Sequence, residues 1–162
     1  MSELRSAGLA RLEPLIGLWD TQTTRLRGSP NRLLEAEGSV EKSWTLGGLY
    51  LREDLAGVGA NGEPLLGLGF LGHDAVRGRY QGAWLSTGAT GLIHFHGWLE
   101  GEDLVLQGEE PDAQGITRLF RAVIVIEGPD RHTLTQSFLV RHRWVEAFRI
   151  VYTRAETDEE TQ

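Results

Sequence analysis

Apolar and polar residues alternate along most of this sequence, and that alternation limits what the chain can fold into. In residues 34–44, apolar Leu34, Ala36, Val40 and Trp44 alternate with polar neighbours, as in a strand with one buried face. Further runs cover residues 48–57, 65–72, 79–86, 91–99, 103–108, 116–127, 131–140 and 143–154. Short turn sequences rich in Gly, Asp, Asn and Pro separate them. We therefore predict an all-β chain, an antiparallel up-and-down β-barrel of about ten strands, because closure removes the sheet edges.

The apolar residues before the first strand have a different spacing. Leu4, Leu9, Leu12 and Leu15 keep approximately helical spacing, and Gly17 follows at the point where alternation begins. We expect a short N-terminal helix before the first strand.

Composition sets the class of protein. The 162 residues carry a net charge of −7 and include no cysteine. We expect one domain over residues 1–155 and a disordered acidic tail over 156–162. The negative charge opposes nucleic acid binding. The sequence shows no signal peptide and no apolar run of the ~20 residues that span a bilayer, so we expect a cytoplasmic protein.

The residues Gly67, Gly69 and Gly72 match the G-x-G-x-x-G dinucleotide pattern. That pattern needs a strand before it and a helix after it, so that the pyrophosphate meets the helix N-terminus. Here Leu66, Leu68 and Phe70 alternate through the glycines themselves, which indicates a strand. We interpret the motif as part of a barrel strand and assign no cofactor.

His94 and His96 carry the sharpest chemical hypothesis. Residues two apart on a strand point to the same face, where a histidine pair can chelate a divalent metal. Glu100 would add a carboxylate, and the His-x-His-x-x-x-Glu order resembles the first metal motif of cupins. Neither His132 nor His142 has the context of a closing ligand. A metal-dependent enzyme using His94, His96 and Glu100 is therefore the alternative function.

Aromatic residues favour a ligand-binding interior, because alternate side chains of a closed barrel converge on its lumen. The predicted ligand-binding residues are Trp44, Tyr80, Trp84, His94, His96, Trp98, Arg121, Gln136, Phe138, Trp144 and Phe148. The aromatic members would form the walls, and Arg121, Gln136 or the histidines would hold a polar end such as a carboxylate.

The predicted function is non-enzymatic binding of a small, mostly apolar molecule inside the barrel. The competing structural interpretation is a solid core, which would leave a dimeric scaffold protein. Residues 123–126 are apolar in both phases, so their outer face needs cover from the N-terminal helix or a second subunit. A homodimer is the corresponding expectation. We also expect Arg154 to pack against the ring of Trp19 at the closed end of the barrel.

The Gly-x-Trp sequence at residues 17–19, placed between helix and first strand, resembles the opening of lipocalin and other calycin barrels. A longer pattern extends over about residues 9–155. Its segments are 46–50, 71–80, 82–86, 97–98, 104–106 and 152–154. With this pattern the chain resembles the lipocalin-like family known as domain of unknown function 1579. The resemblance implies an antiparallel calycin-like barrel and brings no activity or ligand with it.

Overall fold

The computed structural model describes residues 7–26, 35–59 and 62–156, and this part of the chain contains ten strands. The strands are β1 Gly17–Arg25, β2 Glu35–Thr45, β3 Tyr50–Val58, β4 Pro64–Asp74, β5 Arg79–Ser86, β6 Ala89–Glu100, β7 Asp103–Pro111, β8 Thr117–Gly128, β9 Arg131–Val140 and β10 Arg143–Arg154. Helix α1 spans Ala7–Ala10, and 3-10 helices span Glu13–Leu15 and Leu46–Gly48.

The strands form a closed antiparallel barrel. Each strand pairs with its neighbours in sequence, and β1 also pairs with β10, so the described strands leave no free edge. The predicted up-and-down barrel with a short N-terminal helix is confirmed. The G-x-G-x-x-G residues lie inside β4, which continues to Asp74, so their interpretation as a strand is also confirmed. The predicted acidic tail lies outside the described residues from position 157 onward.

Cross-strand pairing shows which side chains point into the lumen, because directly paired residues share a face. One row of paired residues runs through Leu51, Leu71, Gly82, Phe95, Gly108, Phe120 and Phe138. Leu51, Leu71, Phe120 and Phe138 are all buried, so this row faces inward. The residues immediately before and after each of them therefore face outward.

The N-terminal segment closes one end of the barrel. Leu9, Leu12 and Leu15 are buried and form one cluster with inward-facing residues that include Leu71 and Tyr80. We call these three leucines the plug. The Tyr80 hydroxyl donates to the carbonyl of Gly8 at 2.7 Å, which ties β5 to α1.

The first strand and the last are joined at the same end. The guanidinium of Arg154 lies 4.3 Å from the centre of the Trp19 ring and donates to the carbonyls of Ile16 and Pro129. The Trp19 indole donates to the carbonyl of Leu15 at 2.8 Å. The predicted packing of Trp19 against Arg154 is confirmed, and it fixes the plug to the barrel wall. No helix in the described ranges is long and apolar enough to cross a membrane.

Candidate functional site

The lumen has polar groups at both ends. We call the end covered by the plug the floor and the opposite end, where β7 turns into β8, the mouth. Glu110, Arg118 and Gln136 form the mouth cluster, and Lys42, His132 and Tyr152 form the floor cluster.

The mouth cluster is built by the last residues of β7 and the first of β8. Glu110 pairs with Arg118 in the strand register, and an Arg118 nitrogen lies 3.7 Å from a Glu110 carboxylate oxygen. The Gln136 amide donates to the same oxygen at 3.5 Å. The Arg118 guanidinium stacks on Phe138, 3.6 Å from the ring centre. Arg118 Nε is buried and has no hydrogen-bond partner in the described structure, so this donor can serve an incoming acceptor.

Burial changes the acidity of Glu110. Its removal from water raises the pKa of the carboxyl, and the neighbouring Arg118 acts in the opposite direction. The loose 3.7 Å contact explains why the arginine does not dominate. The mouth therefore presents a strong donor beside a carboxyl that is easier to protonate than usual.

Aromatic side chains form the walls next to this cluster. Phe120, Phe138 and Ala147 pack together, with Phe148 against them. On the opposite wall Trp84 lies across two glycines of β4. A Cβ atom at Gly69 would come within 2.9 Å of Trp84 Cε3, so the indole depends on the missing side chain.

Several inward-facing residues of the barrel are not fully buried. Glu53 and Leu55 lie in the middle of β3 and face inward, yet both are half-buried rather than buried. Trp84 and Phe148, nearer the mouth, are half-buried as well. Inward-facing residues at mid-strand are therefore more exposed than those that pack against the plug.

The floor cluster places a lysine inside the barrel. Lys42 is only 4% exposed, and its Nζ lies 3.0 Å from Nε2 of His132, within hydrogen-bond distance. The same nitrogen lies 4.2 Å from the centre of the Tyr152 ring. His132 stacks on Tyr152 and meets the edge of Trp19, each with ring centroids 4.3 Å apart. His132 Nδ1 is buried without a hydrogen-bond partner in the described structure.

Burial shifts the pKa of each of the three residues in the direction that favours its neutral form. It lowers the pKa of Lys42, and Glu53 only partly offsets this. Burial, together with Lys42 and Arg154, lowers the pKa of His132 to about 2. The pKa of Tyr152 is raised, again chiefly by burial. The floor therefore favours neutral side chains in the folded protein.

The family model described as a protein of unknown function, DUF1579, matches residues 7–154. The chain belongs to the DUF1579 family. No curated protein sequence matches it.

Solved structures share the barrel of this DUF1579 protein. The S-type phycobiliprotein lyase CPES from Guillardia theta is 14% identical, with a TM-score of 0.62, over 96% of this chain and 97% of that chain. Rv2717c from M. tuberculosis is 17% identical, with a TM-score of 0.62, over 93% of this chain and 99% of that chain. EF1p2_mFAP2b, solved bound to DFHBI, is 10% identical, with a TM-score of 0.50, over 91% of this chain and 98% of that chain. At such identities the similarity shows the fold alone.

The predicted site residues divide between the two faces of the barrel wall. The inward-facing ones are Trp44, Tyr80, Trp84, Gln136, Phe138 and Phe148. The outward-facing ones are His94, His96, Trp98, Arg121 and Trp144, so their expected position in the lumen is wrong. Among the inward set, Tyr80 is buried against the plug, and Trp44 donates from its indole to Glu13 at 2.9 Å. Trp84, Gln136, Phe138 and Phe148 are left to line the mouth.

A β-bulge explains one of the wrong positions. Trp144 and Phe148 are four residues apart and would share a face in a regular strand. The register of β10 against β9 shifts between Glu146 and Phe148, so Ala147 is an extra residue. Phe148 therefore points inward beside Gln136, whereas Trp144 points outward.

Arg121 lies on the outer wall for a different reason. It stands between Phe120 and Ala122, which are both buried in the lumen. Its guanidinium lies 4.3 Å from the centre of the Trp144 ring and donates to the Gln107 side chain. Arg121 therefore cannot hold a ligand inside the barrel, and Arg118 occupies that position instead.

The two histidines lie on the outer wall beside an open groove of about 440 Å³ that is also lined by Tyr50 and Phe70. Among the described residues no group of three or more His, Cys, Asp or Glu side chains is placed to hold a metal ion. Glu100 accepts from the Trp98 indole at 3.1 Å. The hypothesised metal set of His94, His96 and Glu100 is therefore not assembled among the described residues.

Sequence reasoning missed Glu110, Arg118, Lys42 and His132 as lumen residues. The spacing in the sequence could have identified them, because residues two apart on a strand share a face. Arg118 is two residues before the buried Phe120, and Lys42 is two residues after the buried Val40. A charged residue in an apolar phase is informative because burying it carries a cost. The expected homodimer stays a prediction.

Proposed function

We propose that this protein binds a small, mostly apolar molecule in the lumen without chemically transforming it, and that an oxygen acceptor of the ligand reaches Arg118 at the mouth. The observation that carries the proposal is the buried Arg118 Nε, a donor without a partner in the described structure, placed beside aromatic walls. Ligand sites combine apolar walls with a few such polar groups.

The chemistry of Arg118 favours an acidic ligand. A guanidinium holds a carboxylate through charge-assisted hydrogen bonds, which contribute more than neutral ones. Glu110 already lies 3.7 Å from the same guanidinium, so an incoming carboxylate competes with it for Arg118. A fatty acid is therefore a suitable probe, and the equivalent alcohol tests the contribution of charge.

The similar structures support this proposal at the level of the fold. EF1p2_mFAP2b was solved with the small molecule DFHBI bound, and the Guillardia theta protein is a phycobiliprotein lyase. The absence of cysteines supports the expected cytoplasmic location, which we keep as a proposal.

The test is a titration with decanoate and decanol, followed by tryptophan emission. We expect saturable quenching that is largely lost in Trp84→Phe and retained in Trp144→Phe, because only the first indole faces the lumen. Arg118→Met should weaken decanoate binding by roughly 10- to 100-fold, the equivalent of about 1.5–3 kcal/mol for a hydrogen bond to a charged group. Decanol binding should change much less.

Two results would overturn the proposal. One is the absence of saturable quenching by either compound in the wild-type protein. The other is quenching that survives in Trp84→Phe and disappears in Trp144→Phe, since that would place the ligand on the outer wall.

A further inference from the structure

Lys42 is the only lysine in the 162-residue sequence; the other members of its 16 basic residues are arginines. Exposed positions on this barrel therefore carry arginine, and the one primary amine of a side chain lies inside the lumen, 4% exposed. Arginine is permanently charged and a poor nucleophile, whereas a lysine amine in an apolar site can react with carbonyl compounds. The position of this amine therefore needs an explanation of its own.

The groups around Lys42 leave its amine without a counter-ion in contact. Its Nζ contacts Nε2 of His132 at 3.0 Å and the face of Tyr152 at 4.2 Å. Glu53 is its register partner on β3 and faces the same lumen, yet the described structure contains no ion pair between them within 4.0 Å. Arg154, whose positive charge acts on the neighbouring His132, supplies no counter-ion. These surroundings disfavour an ammonium ion, in agreement with the lowered pKa of Lys42.

The side of Lys42 that faces the lumen is the side from which a ligand would approach its amine. Glu53, directly across the strand pair from Lys42, faces the same lumen and is half-buried rather than buried. The plug covers the floor from the other side. An elongated apolar molecule entering from the mouth would therefore meet Lys42 with its leading end.

We propose that Lys42 binds an aldehyde-bearing apolar ligand covalently and reversibly, as an imine. This inference rests on the proposed function, because the ligand occupies the same lumen. The Nζ lone pair attacks the carbonyl carbon, and the two hydrogens of the amine leave with the carbonyl oxygen as water. The products are one C=N bond and one water molecule, with no oxidant or reductant. Nε2 of His132 lies 3.0 Å from this nitrogen and can accept a hydrogen bond from it, which holds the amine in place.

The test is incubation with decanal at pH 7, reduction of any imine by cyanoborohydride, and peptide mass spectrometry. Because the sequence contains one lysine, the reactive amines are Lys42 and the α-amino group. We expect an adduct with the mass of decanal less its oxygen atom on the peptide that contains Lys42. The ratio of Lys42 adduct to α-amino adduct should be higher in the folded protein than in urea, because burial lowers the pKa of Lys42 and so increases the fraction of free amine.

Two variants serve as matched controls. Lys42→Arg keeps a long side chain with hydrogen-bond donors, removes the primary amine and should abolish the lumen adduct. Arg149→Lys adds an amine at an exposed position of β10 and should be labelled no more than the α-amino group.

The outcomes separate this inference from the proposed function. One contrary result is that decanol still quenches tryptophan emission while decanal labels only the α-amino group. Another is that decanol still quenches while decanal labels Lys42 as strongly in urea as in the folded protein. Either result overturns the imine and leaves lumen binding intact. Lack of quenching by decanol, decanoate and decanal together, with no Lys42 adduct, overturns both.

Discussion

Lowering the pH from 7 to 5 should destabilise this barrel through His132 in particular. In the folded protein the ring is 1% exposed, stacked on Tyr152 and 3.0 Å from Lys42, and its pKa is lowered to about 2. In the unfolded chain the same ring returns to its ordinary value of 6.5. Between these two values the unfolded state binds one more proton than the folded state, so the free energy of unfolding falls as the pH falls.

The size of the effect follows from the two values. At pH 5 the solution lies about 1.5 units below the ordinary pKa of histidine, and each unit corresponds to 1.36 kcal/mol, so the loss is about 2 kcal/mol. That is a large part of a typical total stability of about 5–15 kcal/mol. Glu110 acts in the opposite direction, because its pKa is raised in the folded protein and its protonation favours folding.

Urea unfolding at pH 7 and pH 5 measures this loss, and a variant isolates it. His132→Gln keeps the contribution of Glu110 to the pH dependence of the free energy of unfolding and removes that of His132. Between pH 7 and pH 5 the free energy of unfolding of the variant should therefore fall by about 2 kcal/mol less than that of the wild type. His94→Gln, on the exposed outer wall, should behave as the wild type. Equal pH dependence in wild type and His132→Gln, with both proteins folded at pH 7, would refute the reasoning.

The other predictions concern the plug, the lumen wall and the closed end. Leu12→Ala should lower the free energy of unfolding by about 2–5 kcal/mol, because this side chain is 1% exposed, whereas Leu46→Ala at 67% exposure should change it little by the same urea assay. Gly69→Ala should cost about 1–3 kcal/mol by overpacking against Trp84 and should shift the tryptophan emission. Arg154→Met should lower the melting temperature by leaving the carbonyl of Pro129 without its charged donor, and an unchanged melting temperature would contradict this role.

The strands could be predicted from sequence because alternation and turn residues are local signals. It was harder to predict which side chains point into the lumen, because a register shift of one residue reverses the inward and outward faces of a whole strand. The bulge at Ala147 causes such a reversal inside β10 and separates Trp144 from Phe148. In β8, residues 123–126 are apolar in both phases, so the pattern near Arg121 does not show which face is inside. The packing of Trp19 against Arg154 was predictable because both residues lie beside the ends of the first and last strands. The position of Leu9, Leu12 and Leu15 inside one end of the barrel was not predicted, because their spacing shows an apolar face and not what it packs against.

The stability of the barrel accounts for the plug but not for a lysine at position 42. Closure at the floor depends on buried leucines and on Trp19, and replacing a buried polar pair by apolar residues of similar size is often neutral or stabilising. The fold therefore does not need an amine at this position. The two polar residues lie at opposite ends of the barrel, Arg118 near the start of β8 at the mouth and Lys42 near the end of β2 at the floor. A ligand that contacts both Arg118 at the mouth and Lys42 at the floor must therefore be elongated, with an acceptor at one end and a carbonyl at the other.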